Sequence, residues 1–322
     1  MDMQKRQIMI QLGHLGFLSL ILKACGQQSS QDKESVRWQV VGSTQITSDG
    51  THRLIQSKGL PTHSTGTFPN PGCPFPILEQ KHNFKVPVTP KDLAEPRFSK
   101  TWRVGIGING VLFEPWGPSW KQDCNTGWTY EDCGAQVREH LGVDQNNAHV
   151  QGSGSYHYHG YPQGLVEEAQ KLSGSNPMVL IGFAADGYPI YDSLGPKDPM
   201  DLDSEKISLK PSYRLKSGER PSGGPGGVYD GTFNEDYEFV EGLGDLDKCN
   251  GRKGITPEFP GGTYYYVVTK SYPYIPRFFK AEPHSSFAVP EEACFAPLPP
   301  SLGGDPEKNK PENDPSKRPP RI

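Results

Sequence analysis

Glycine and proline recur so often along this chain that few stretches are left in which a long helix can form. They number 37 and 32, well above ordinary usage. Between them lie short apolar runs rich in Tyr and Phe, the pattern of β-strands joined by long loops. The expected fold class is mainly β: a β-rich single domain with hairpins, long Gly/Pro loops and one or two short helices.

Local signals place the elements. Residues 36–60 alternate weakly between apolar and polar and read as one or two edge strands. Residues 61–80 are loop. The run WRVGIGINGVLF, Trp102 to Phe113, reads as a hairpin turning at Asn109-Gly110. MVLIGFAADGYPIY, Met178 to Tyr191, repeats that pattern around Asp186-Gly187. Tyr130 to Leu141 is expected as a short helix ended by Gly142, and a second helix is expected from Pro162 to Leu172. Two more strands are expected over 232–240 and 263–269, after a Gly/Pro/Ser-rich insertion over 195–231. Trp116, Trp120 and Trp128 fall in one aromatic loop, read either as a cover for the core or as a binding surface.

The ends differ from the middle. Lys5 and Arg6 precede an apolar run from Ile8 to Leu22, of signal-peptide length and short for a membrane span. It ends in Leu22-Lys23-Ala24-Cys25-Gly26, which resembles a bacterial lipobox. The expected organisation is a signal peptide over 1–24, a lipidated tether over 25–35, a folded domain over 36–298 and a disordered tail over 299–322. Cys25 would carry the acyl chains that anchor the protein to a bacterial membrane. The domain would then stand in the periplasm or extracellular space of the cell envelope. Removing residues 1–24 leaves 30 basic and 36 acidic residues, a net charge of −6. With no basic stripe, nucleic acid is not an expected partner. An oxidising compartment suggests disulfides, with Cys124–Cys133 and Cys249–Cys294 as the candidates and Cys73 left over.

The chemistry concentrates in NNAHVQGSGSYHYHG, Asn146 to Gly160. In a strand, His157 and His159 share a face while Tyr156 and Tyr158 share the other. A hairpin with Val150 opposite Tyr156 puts His149 opposite His157, with Cβ atoms roughly 5 Å apart. Three imidazoles then converge as ligands for a transition metal ion such as zinc or copper, and the same ligands suit iron or nickel. A one-residue slip would send His149 to the wrong face. Asp186 reads as a turn former or as a carboxylate beside the histidines, a catalytic base. No P-loop, GxSxG elbow, dinucleotide-binding glycine pattern or HExxH motif is present.

Four ordered segments carry a family resemblance: NNAHVQGSGSYHYHGYPQGL, LIGFAADGYPIY, DLDKCNGR and ITPEFPGGTYYYVVTKSYPYIPRFF. Together they resemble the bacterial YHYH-domain family over roughly residues 100–280, the name being Tyr156-His157-Tyr158-His159. The resemblance implies an exported β-rich domain and prescribes no reaction or cofactor. The functional expectation is a membrane-anchored lipoprotein with a metal site on His149, His157 and His159, catalytic in hydrolysis or oxidation or simply metal-binding. Two alternatives stay open. One is a glycan-binding or adhesion module using the tryptophans, with a glycan or small-molecule partner. The other is a structural domain whose histidines form a hydrogen-bond network.

Overall fold

The computed structural model describes residues 38–99 and 103–289, the side chain of Cys124 excepted. The expected signal segment, Cys25, Trp102, Cys294 and the 299–322 tail lie outside the described residues. The described part is mainly β, as expected, with one α-helix, Gln163–Ser173.

An eight-stranded sheet organises the protein. Its strands run, edge to edge, Gly251–Gly254, Thr263–Val267, Pro189–Tyr191, Leu180–Ala184, Gly105–Gly107, Leu112–Phe113, Tyr156–Tyr158 and Ala148–Val150. Neighbours are antiparallel except at two places. Pro189–Tyr191 runs parallel to Thr263–Val267, and Leu112–Phe113 runs parallel to Tyr156–Tyr158. The two turn dipeptides do what their chemistry dictates. Asn109-Gly110 joins Gly105–Gly107 to Leu112–Phe113, with Gly110 at φ +79. Asp186-Gly187 joins the next pair, with Gly187 at φ +97. Both are conformations that only glycine adopts without strain.

The remaining strands form smaller sheets. Gln45–Ser48, His52–Ser57 and His82–Pro87 make a three-stranded antiparallel sheet. The 195–231 insertion is not loop throughout: Lys206–Ser208 pairs with Leu194–Pro196, and Tyr213–Leu215 pairs with Tyr237–Phe239. The helix starts after Pro162, ends at Gly174, and buries Leu165, Val166 and Ala169 on one face, as an amphipathic helix must.

The expected Tyr130–Leu141 helix does not form. The segment is a run of turns, with Arg138 N bonding to Gly134 O, Leu141 N to Val137 O and Val143 N to Arg138 O. Tertiary demands override the helical pattern here. Glu131 and Asp132 are buried, and Glu131 pairs with Arg277. Gly134 in its middle also disfavours a regular helix, and here it lets the chain pass close to Gly231 O, 2.8 Å from where a Cβ would stand.

Neither expected disulfide is present among the described residues. Cys133 and Cys249 are buried free thiols, as is Cys73, the residue left over in the expected pairing. The Cys133 thiol lies beside Gly160.

Candidate metal centre

The site begins with a register. Ala148–Val150 pairs with Tyr156–Tyr158 so that His149 faces His157 and Val150 faces Tyr156, as the alternation requires. Gly154 turns the hairpin at φ +81. At the far end, a side chain at Gly160 would press a Cβ to 2.6 Å from Cys133 Sγ, so glycine lets the chain pass close. Tyr156 and Tyr158 point to the opposite face and are fully buried. The Tyr156 hydroxyl donates to Asp144 Oδ2 at 2.7 Å, and the Tyr158 hydroxyl accepts from Asn109 Nδ2 at 2.9 Å.

The three histidines meet at their Nε2 atoms. His159 Nε2 lies 2.8 Å from His157 Nε2 and 3.1 Å from His149 Nε2. The three candidate ligand atoms all lie within 4.8 Å of one another. His157 and His159 are buried and His149 is half-buried, so His149 is the most accessible of the three.

Each ring is oriented from behind. His149 Nδ1 lies 2.8 Å from Leu141 O, and His157 Nδ1 lies 3.1 Å from Ser155 O. A carbonyl only accepts, so each Nδ1 donates and each Nε2 is a bare lone pair when the ring is neutral. His159 Nδ1 stands 3.0 Å from Asp132 Oδ2, an ion-pair contact that likewise keeps the proton on Nδ1. With all three rings neutral, three lone pairs are aimed at one another. That arrangement is repulsive unless a proton or a cation lies between them.

The electrostatics agree. Burial and the neighbouring His159 push His149 down to about 4. Burial and the two neighbouring rings push His157 well down. Both are held neutral, the ligating form. Burial also works against the charged form of His159, but Asp132, Glu114 and Glu131 outweigh it and raise that ring.

Asp186, read as turn former or base, is placed elsewhere. It shapes the turn, and its buried carboxylate accepts from the Tyr266 hydroxyl, from Ala281 N at 3.0 Å and from Tyr188 N at 3.3 Å. Those partners are core groups, not the three rings. Trp120 and Trp128 pack against a small cluster of Tyr130, Val137, Leu141 and Phe233, and Trp116 stacks edge-on with Phe98 at 4.5 Å. This matches the core-covering reading of the aromatic loop.

Three residues at the site were not singled out from sequence: Asp132, Glu114 and Gln151. Asp132 lies 27 positions from His159, in a segment that reads as helix, so nothing local announces it. Glu114 had a signal, since Leu112 and Glu114 alternate with Phe113 as His157 and His159 alternate with Tyr158. Asp132→Asn is expected to weaken metal binding about 10- to 100-fold, the usual effect of losing an orienting partner. Isothermal titration with zinc checks it, and an unchanged affinity would mean that Asp132 does not orient His159.

A family model described as YHYH protein matches residues 83–281. No curated protein and no solved structure matches the chain.

Proposed function

This chain belongs to the YHYH protein family, and we propose that it is an exported, lipid-anchored envelope protein that holds a transition metal ion on His149, His157 and His159. One observation carries the metal reading: three imidazoles converge, with His159 Nε2 lying 2.8 and 3.1 Å from Nε2 of His157 and His149, and each Nδ1 facing an oxygen behind it. A proton on His159 can be donated along one direction only. A zinc or copper ion at about 2.0–2.1 Å from each nitrogen takes all three lone pairs at once. A three-histidine set leaves a coordination position open, which suits water activation in hydrolysis. The same set in a non-catalytic role would buffer or sense copper.

The test is zinc titration of chelator-stripped protein prepared without a histidine tag. About one ion bound tightly per chain is the expected result for a single three-histidine centre. Failure to bind zinc or copper would leave the histidines as a proton-sharing structural network.

The anchoring reading rests on the Lys5-Arg6 start, the apolar Ile8 to Leu22 run and the lipobox-like Leu22 to Cys25. Cys25→Ser is expected to move the protein from the membrane fraction to the soluble envelope fraction, or to leave an uncleaved precursor. Wild-type protein already soluble and starting well after Cys25 would contradict it.

A further inference from the structure

Glu114 is a buried carboxylate on the histidine face. The parallel register pairs Leu112 with His157 and Phe113 with Tyr158, and Glu114 N continues the ladder to Tyr158 O at 2.9 Å. Phe113 packs with Tyr158 on the opposite face, ring centroids 5.4 Å apart. Alternation therefore sends the Glu114 side chain to the side where the imidazoles stand. Gln151, just past the strand on the other side, follows Val150 and shares the face of His149. Its Nε2 donates to Glu114 Oε2. The strands of Glu114 and Gln151 flank the Tyr156–Tyr158 strand on either side, so their hydrogen bond crosses the face on which His157 stands.

The second carboxylate oxygen is left over. Glu114 is 2 % exposed, and its Oε1 has no hydrogen-bond partner. The nearest opposite charge, Arg103 Nε, is 3.6 Å away. The buried Ser155 Oγ is also without a partner. Buried polar atoms of this kind call for a bound water or ion. Among the described residues, the group of potential ligand atoms within 4.8 Å of one another comprises the three histidines alone. Glu114 therefore stands outside the direct ligand set, yet close enough for its charge to act on His159.

We propose that Glu114 spans the open side of the metal centre and holds, through Oε1, the water bound at the fourth coordination position. The inference rests on the metal reading above. It assigns Glu114 a positioning role. Burial pushes the Glu114 carboxyl up to about 7. Above that pH the carboxylate only accepts, so it favours a ligand that carries a proton to donate, water or hydroxide, and repels anions that carry none. The centre is thereby selective for water over small anions such as azide.

The experiment uses the full mature chain loaded with cobalt(II), whose visible absorption reports coordination, titrated with sodium azide. Glu114→Gln removes the charge and presents an amide donor to the same space. It is expected to tighten azide binding by about tenfold or more, through loss of a nearby like charge in a buried site. Cobalt affinity should fall by no more than about 10- to 100-fold, the usual effect of losing a carboxylate outside the direct ligand set, with cobalt still bound because no direct ligand is lost. Glu114→Met carries the same expectation through charge alone and stands in if the amide variant fails to fold. Unchanged or weaker azide binding would overturn the proposal. So would loss of cobalt from Glu114→Gln, which would make Glu114 a direct ligand. A wild-type protein that takes up no cobalt would fail earlier, at the metal reading itself.

Discussion

Alanine at His157 or at His159 is expected to abolish tight binding of a transition metal while leaving the fold in place. Each substitution removes one of three nitrogens that meet within 4.8 Å, and two imidazoles on a face no longer enclose an ion. The fold should survive because neither ring holds the sheet together. The strand pairings of His157 are backbone bonds to Ala148–Val150 and Leu112–Phe113. The loss of a ring from a buried site is partly offset by relief of the lone-pair repulsion among the Nε2 atoms. Metal analysis alongside far-ultraviolet circular dichroism checks both halves. Metal retained at wild-type level in the double variant would place the ion elsewhere.

The reverse pattern is expected on the other face of the same strand. Tyr158→Ala should cost about 3–5 kcal/mol of stability, the usual range for truncating a buried aromatic ring. Tyr158 is fully buried. Its ring packs against Phe113 and Tyr156, with centroids at 5.4 and 5.9 Å. Its hydroxyl is held by Asn109 and lies 2.5 Å from His63 Nε2. Tyr158→Phe keeps the ring and loses those polar contacts, so its cost should be smaller, of the order of 1–3 kcal/mol with the buried Asn109 Nδ2 losing its acceptor. Urea denaturation midpoints measure both. A cost below 1 kcal/mol for the alanine variant would mean that the tyrosine is not the core residue its burial indicates. Tyr156-His157-Tyr158-His159 thus divides its labour by strand alternation, tyrosines to the core and histidines to the site.

What could be read from sequence follows from this division. Period-two alternation and glycine turns are local signals, so the Asn109-Gly110 and Asp186-Gly187 hairpins and the His149–His157 register were accessible without coordinates. The partners that orient the rings were not. Leu141 O and Asp132 come from a segment whose apolar spacing suits a helix, but which folds as turns because its acids are drawn inward. Glu131 there meets Arg277, a partner 146 positions away, and no local pattern encodes such a pairing. Cysteine spacing misled for a related reason. Proximity in sequence made Cys124 and Cys133 plausible partners, whereas burial beside Gly160 fixes the Cys133 thiol in the wall of the site. Asp186 shows the limit of motif reading, because an Asp-Gly turn is equally well explained by the turn itself, and its carboxylate is taken up by Tyr266 and Ala281.

Anomalous diffraction from crystals grown with zinc tests the metal centre most directly. The expected result is a single peak at about 2.0–2.1 Å from Nε2 of His149, His157 and His159, present above the zinc absorption edge and absent below it. Well-ordered crystals with the three rings in place and no anomalous peak among them would contradict the account.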